Sequence, residues 1–221
     1  MELLILYFVL FFPRVFNSSF SDLTPLVESI PFSIARELSR TLTYTIPAIA
    51  LIWYLISDKK GLSAIKTEKP QKQDILTFSV GLPGLILTGL CISFLVMLFS
   101  GNQGLTPPPK VEAPVNIPGW IVMVFSCLGT GYLEESYFRY YLLTTLEKSL
   151  PRASLRIIIS TALFSFCHVY EGPWGIFNAV LAGLILSFLF IRYRSLHGIA
   201  WAHGAYNMFV YIMGSFSIPG F

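Results

Sequence analysis

Five stretches of this chain run without a single Asp, Glu, Lys or Arg: Thr41 to Ser57, Ile75 to Phe99, Ile157 to Tyr170, Gly172 to Ile191 and Ser195 to Gly214. A sixth, Pro118 to Leu143, is interrupted only by Glu134, Glu135 and Arg139. A membrane-spanning helix needs ~20 mostly apolar residues, with ~17 as the lower limit. Of the 221 residues, 54% are hydrophobic and only 12% charged, where soluble domains carry ~25% charged residues. The mean hydropathy of +0.67 agrees. The expected fold is all-α, a polytopic transmembrane helical bundle of about seven spans (six to eight).

Leu3 to Phe16 is the additional, short span, broken by Pro13 and Arg14, and it lacks the basic start of a signal peptide. Leu23 to Arg40 reads as an amphipathic interfacial helix. Residues 1–40 therefore form an N-terminal apolar segment with an amphipathic helix, and residues 41–221 one membrane-embedded domain with its motif core at 118–214. Cys91, Cys127 and Cys167 all lie in apolar runs and read as small hydrophobes. Basic residues fall in short loops rather than along one face, which excludes nucleic acid as a partner.

Loop charge sets an expected orientation. Lys59, Lys60, Lys66, Lys69 and Lys72 fall in one loop, Lys148, Arg152 and Arg156 in a second, and Arg192 and Arg194 in a third; the loops between them hold only Lys110. The first set is cytoplasmic by the positive-inside rule. Arg14, Arg36 and Arg40 then lie on the other side, against the rule.

Ionisable groups inside a span cost at least ~2.5 to 3.5 kcal/mol each and mark functional sites by default. Counted from the basic ends of their spans, Glu134, His168, His203 and Asn207 lie ~14, ~16, ~12 and ~18 Å deep. They share one depth, so a polar cavity open to the cytoplasm is expected. Glu135 and Arg139 are four residues apart with Glu first, the favoured order for a helical ion pair. Phe164 and His168 have the same spacing, as do His203 and Asn207. Glu134 is turned about 100° from Glu135 and is expected to face away from the Glu135–Arg139 pair.

A carboxylate and an imidazole sharing a water are the parts of a general base, and a second imidazole with an amide can donate to an oxyanion. Those are the parts of a peptidase. Asp22, Asp58 and Asp74 all lie outside the strong spans, and neither a His-Glu-x-x-His helix nor a Gly-x-Ser-Gly loop is present. Aspartyl, zincin-type and serine-type intramembrane peptidases are thereby excluded.

Glu134-Glu135-x-x-x-Arg139, with Phe138 before the arginine, Phe164-x-x-x-His168 and His203-x-x-x-Asn207 resemble the three signature motifs of the CAAX protease and bacteriocin-processing family. These are intramembrane glutamate proteases that include the type II CAAX prenyl endopeptidases. The resemblance implies that Glu134 and His168 activate water, that His203 and Asn207 form an oxyanion hole, and that Arg139 holds Glu135. It implies no metal and no cofactor. The expected activity is endopeptidase cleavage of a membrane-associated peptide or protein tail, rather than of a prenylated protein, in the cell membrane of a prokaryote. Three other readings stand beside it: a zinc peptidase using Glu134, His168 and His203 as ligands, a proton-coupled transporter, and a non-catalytic immunity-type membrane protein.

Overall fold

The computed structural model describes residues 2–13, 29–57, 70–99 and 110–216. Helix α1 (Glu2–Leu10) is followed, after the segment outside the description, by β1 (Ser29–Ile30). Then come α2 (Ile34–Arg40), a π-helical segment (Thr41–Thr45) and α3 (Ile46–Ser57), which form one continuous helix. Helix α4 (Lys72–Phe99) and β2 (Lys110–Val111) precede α5 (Ile117–Glu135), a second π segment (Ser136–Leu143) and α6 (Thr144–Leu146). The chain ends in α7 (Ala153–Phe166), a 3-10 turn (Val169–Glu171), α8 (Gly172–Tyr193) and α9 (Leu196–Ser215). Among the described residues the only strand pairing is the two-residue parallel bridge of Ser29–Ile30 with Lys110–Val111.

Among the described residues, three helical stretches are long and apolar enough to cross a bilayer: Lys72–Phe99, Ile117–Leu146 and Val169–Tyr193. Thr41 to Ser57 is helical, α7 is short, and α9 carries His197, His203 and Asn207 among its apolar residues; of the short N-terminal span, Glu2–Leu10 is helical and residues 14–16 lie outside the described residues. The expected interfacial helix needs correcting. Residues Ser29 to Ser33 are not helical, and the helix starts only at Ile34, where the Ser33 hydroxyl accepts the Arg36 N–H. Its earlier part, Leu23 to Glu28, lies outside the described residues. From Ile34 the helix runs to Ser57 without a break, crossing the boundary placed between residues 40 and 41.

Arg40 departs from the loop-charge rule because its charge is spent inside the fold. Its guanidinium donates to Glu37 Oε2 at 2.7 Å, Ser126 Oγ at 2.7 Å and Thr130 Oγ1 at 3.2 Å, and the Ser126 hydroxyl donates to the same Glu37 oxygen at 2.6 Å. Glu37 is buried. An ion pair of this kind clasps α2 to α5.

Helices α5 and α9 meet through glycines. A Cβ on Gly131 would stand 2.5 Å from the Ala200 carbonyl oxygen, and one on Gly204 would stand 2.9 Å from Leu128 Cα. Small residues let membrane helices approach backbone to backbone. Around the second π segment the interior fills with rings: Tyr137, Phe138, Tyr140 and Tyr141 are all buried, with Tyr7 of α1 and Phe11 just beyond that helix against them. Asp74 joins two helix starts, accepting the Gln71 N–H at 2.6 Å and the hydroxyl of the α9 cap Ser195 at 2.5 Å. With the glycine contacts, this bond fixes α9 against both α4 and α5.

Candidate active site

The close approach of α5 and α9 brings Glu134, Glu135 and His203 together. His203 Nδ1 lies 2.7 Å from Glu135 Oε1, and on the other side of the ring Nε2 lies 3.7 Å from Glu134 Oε2. A carboxylate only accepts, so Nδ1–H of His203 is the donor. Glu135 Oε1 also accepts from Arg139 Nη1 at 2.9 Å, with both side chains wholly buried. The expected Glu135–Arg139 pair is present. Glu134 stands outside that pair, and the two carboxylates flank opposite nitrogens of one imidazole. A 100° turn along the helix suffices because His203 enters between them from α9.

Arg139 has further contacts. Beyond Glu135, its Nη2 points to the Gly183 carbonyl at 3.4 Å, and its guanidinium carbon lies 4.4 Å from the centre of the Phe164 ring. Phe164 serves three neighbours at once. Its ring centre is 4.6 Å from that of His168 and 5.9 Å from that of His203. The ring therefore spaces the two imidazoles while capping the buried cation.

His168 differs from the expectation in one respect: it lies past the end of its helix, which stops at Phe166. Its Nδ1 is 2.8 Å from the Phe164 carbonyl oxygen. A carbonyl cannot donate, so Nδ1 carries a proton, and in the neutral ring the lone pair is on Nε2. Asn207, one turn after His203, is half-buried, and its side chain makes no hydrogen bond among the described residues. His197 stands apart, its Nδ1 2.8 Å from the Tyr132 hydroxyl and its ring stacked on Trp201.

Sequence reasoning missed two features. One is the bond from His203 to Glu135. The other is the π segment that starts immediately after Glu135; such segments are rare and favour functional sites. In it the Phe138 carbonyl accepts the Ser160 hydroxyl at 2.9 Å, tying α7 to the motif helix.

Burial also shows where the site is closed. On the side of the basic loops, every residue from Ser136 to Leu143 is buried. The partly exposed members, His168 and Asn207, lie toward the α7–α8 turn, the end of the bundle away from Arg152, Arg156, Arg192 and Arg194. The aromatic side chains of the π segment border the site on that side. Among the described residues no three of His, Cys, Asp and Glu are grouped so as to hold one metal ion.

Residues 116–209 match the family model described as Type II CAAX prenyl endopeptidase Rce1-like. The resemblance carried by the three motifs holds over that stretch, which contains every candidate residue from Glu134 to Asn207. No curated protein and no solved structure matches the chain.

Proposed function

We propose that this protein is a metal-independent intramembrane endopeptidase that cleaves a membrane-associated peptide or protein tail, using Glu134 and His168 to activate water. The observation that carries the proposal is the division of labour around His203. Glu135 and Arg139 take one side of the imidazole as a support, while Glu134 lies 3.7 Å from the other side, which supports a part for it in proton transfer. The match to an endopeptidase family supports the reaction class.

In this reading a water binds between Glu134 and the Nε2 lone pair of His168. Glu134 takes one of its protons as the oxygen attacks the scissile carbonyl, and His168 accepts a hydrogen bond from the other. The developing oxyanion is met by His203, protonated on both nitrogens, and by the Asn207 amide. With two carboxylates and one guanidinium in the cluster, an imidazolium at His203 brings the buried charge to zero, the state a low-dielectric site favours. The C–N bond then breaks, and the proton held by Glu134 passes to the leaving amine. Carboxylic acid and amine products account for both protons of the water. The cell membrane of a prokaryote is the proposed location, with the basic loops inside.

The test is cleavage by purified protein in liposomes of quenched fluorescent peptides, some with an apolar membrane tail and some with a C-terminal prenylcysteine motif. Wild type is expected to cut the tailed peptides, and Glu134→Gln to cut none. A Glu134→Gln variant as active as wild type would overturn the mechanism, and preference for prenylated peptides would overturn the substrate class.

A further inference from the structure

We infer that Tyr7, on α1, is a positioning residue that fixes the His168 imidazole through the last turn of α7. The inference rests on the reading of His168 given above and adds to it a residue far outside the stretch matched by the family model.

The last turn of α7 is tightened. Cys167 N–H bonds the Phe164 carbonyl at 3.2 Å and His168 N–H bonds the Ser165 carbonyl at 3.0 Å, the three-residue spacing of a 3-10 turn. In a regular α-helix Cys167 N–H would instead take the Leu163 carbonyl. Here that carbonyl is served by side chains: the Tyr7 hydroxyl donates to it at 3.0 Å and the Cys167 thiol lies 3.3 Å away. The same thiol is a donor to the Tyr7 oxygen at 3.4 Å.

One phenol oxygen thus holds residues 163 and 167. Their immediate successors, 164 and 168, form the contact that sets the imidazole, from His168 Nδ1–H to the Phe164 carbonyl. Tyr7 is 2% exposed, and its ring packs on Phe11, Tyr137 and Phe138. A phenylalanine would fill that space as well. What the hydroxyl adds is polar contact, and both of its partners lie in the turn that carries His168. A buried hydroxyl needs such partners, and the turn in turn needs the hydroxyl.

The experiment is 15N NMR of histidine-labelled full-length protein in detergent, where only three histidines contribute. Wild type is expected to show His168 as a single tautomer with the proton on Nδ1. Tyr7→Phe should convert it to a mixture. Because the ring is misplaced rather than removed, kcat should fall roughly tenfold with KM nearly unchanged, a modest instance of the loss that misplacement causes. A folded Tyr7→Phe protein with the wild-type His168 spectrum overturns the inference. If Tyr7→Phe does not fold, Cys167→Ala removes the other contact, and an unchanged spectrum there overturns it equally. An altered spectrum with unaltered turnover upholds the link from Tyr7 to His168 and overturns the part assigned to His168 in the reaction.

Discussion

His203 Nδ1 stands 2.7 Å from Glu135 Oε1, and that contact turns a helical ion pair into a three-residue chain from Arg139 through Glu135 to His203. Adjacent glutamates thereby acquire different work. Glu135 is committed to two cations or donors at full burial, whereas Glu134 reaches the imidazole only at a distance beyond a direct hydrogen bond.

Exchanging the two carboxylates for amides separates those roles. Glu134→Gln is expected to fold, bind substrate and show no turnover. Glu135→Gln strands Arg139 and releases His203, so it should lose ~3 to 5 kcal/mol of stability, as broken buried pairs do. Thermal unfolding in detergent and single-turnover cleavage, run on both variants, check this. A stable but inactive Glu135→Gln beside an active Glu134→Gln would reverse the assignment.

The helix contact behind this chain can be tested without touching it. Gly131→Ala places a Cβ 2.5 Å from the Ala200 carbonyl oxygen, with backbone on the far side that cannot swing away. The expected cost is ~1 to 3 kcal/mol, the range of overpacked cores, together with reduced kcat, because α9 must move off α5 and take His203 with it. Gly84→Ala is the control, since its Cβ would meet only Ile185 side-chain atoms, the nearest at 3.8 Å. Equal losses in both would remove the close contact as the cause.

Chelation should leave most activity in place. After dialysis against a strong chelator, purified protein is expected to lose under about half its turnover, since the proposed base, donors and support need no Lewis acid. One tightly held zinc per chain that is required for turnover would move Glu134, His168 and His203 into the role of ligands.

Orientation is checked with single cysteines after the native thiols are replaced. Ser149→Cys lies at the basic end of the bundle and Val115→Cys, at a position 97% exposed, at the other. Membrane-impermeant maleimide added to intact cells should modify the second and spare the first. The opposite pattern would place the α7–α8 turn, and with it the partly exposed members of the site, on the cytoplasmic side.

Much of this arrangement is legible in the residues alone, and the rest is hidden for identifiable reasons. Runs such as Ile75 to Phe99 and Gly172 to Ile191 anticipate the helices Lys72–Phe99 and Gly172–Tyr193, because charge marks where a span must end. The Glu135–Arg139 pair follows from spacing within one helix. Its extension to His203 does not, since it depends on how α9 is fixed against α4 and α5, which Gly131, Gly204 and the Asp74–Ser195 contact decide. The helix end before His168 escaped notice because Cys167, His168 and Val169 continue an apolar run without Gly or Pro. Tyr7 carried no signal at all: its partners are 156 and 160 residues away.

In the proposed reaction the carbonyl of Phe164 makes His168 a one-sided partner of the water. A histidine that shuttles protons takes one at the first nitrogen and releases another from the second, so that its ring works as a conduit. With Nδ1–H bound to a backbone oxygen that can accept no proton, the far face of this ring leads nowhere. Any proton that reaches Nε2 must leave by the same door, toward the water or the departing amine. Hydrolysis organised in this way returns every proton locally, and needs no wire of water or side chains running from the middle of the bilayer to bulk solvent.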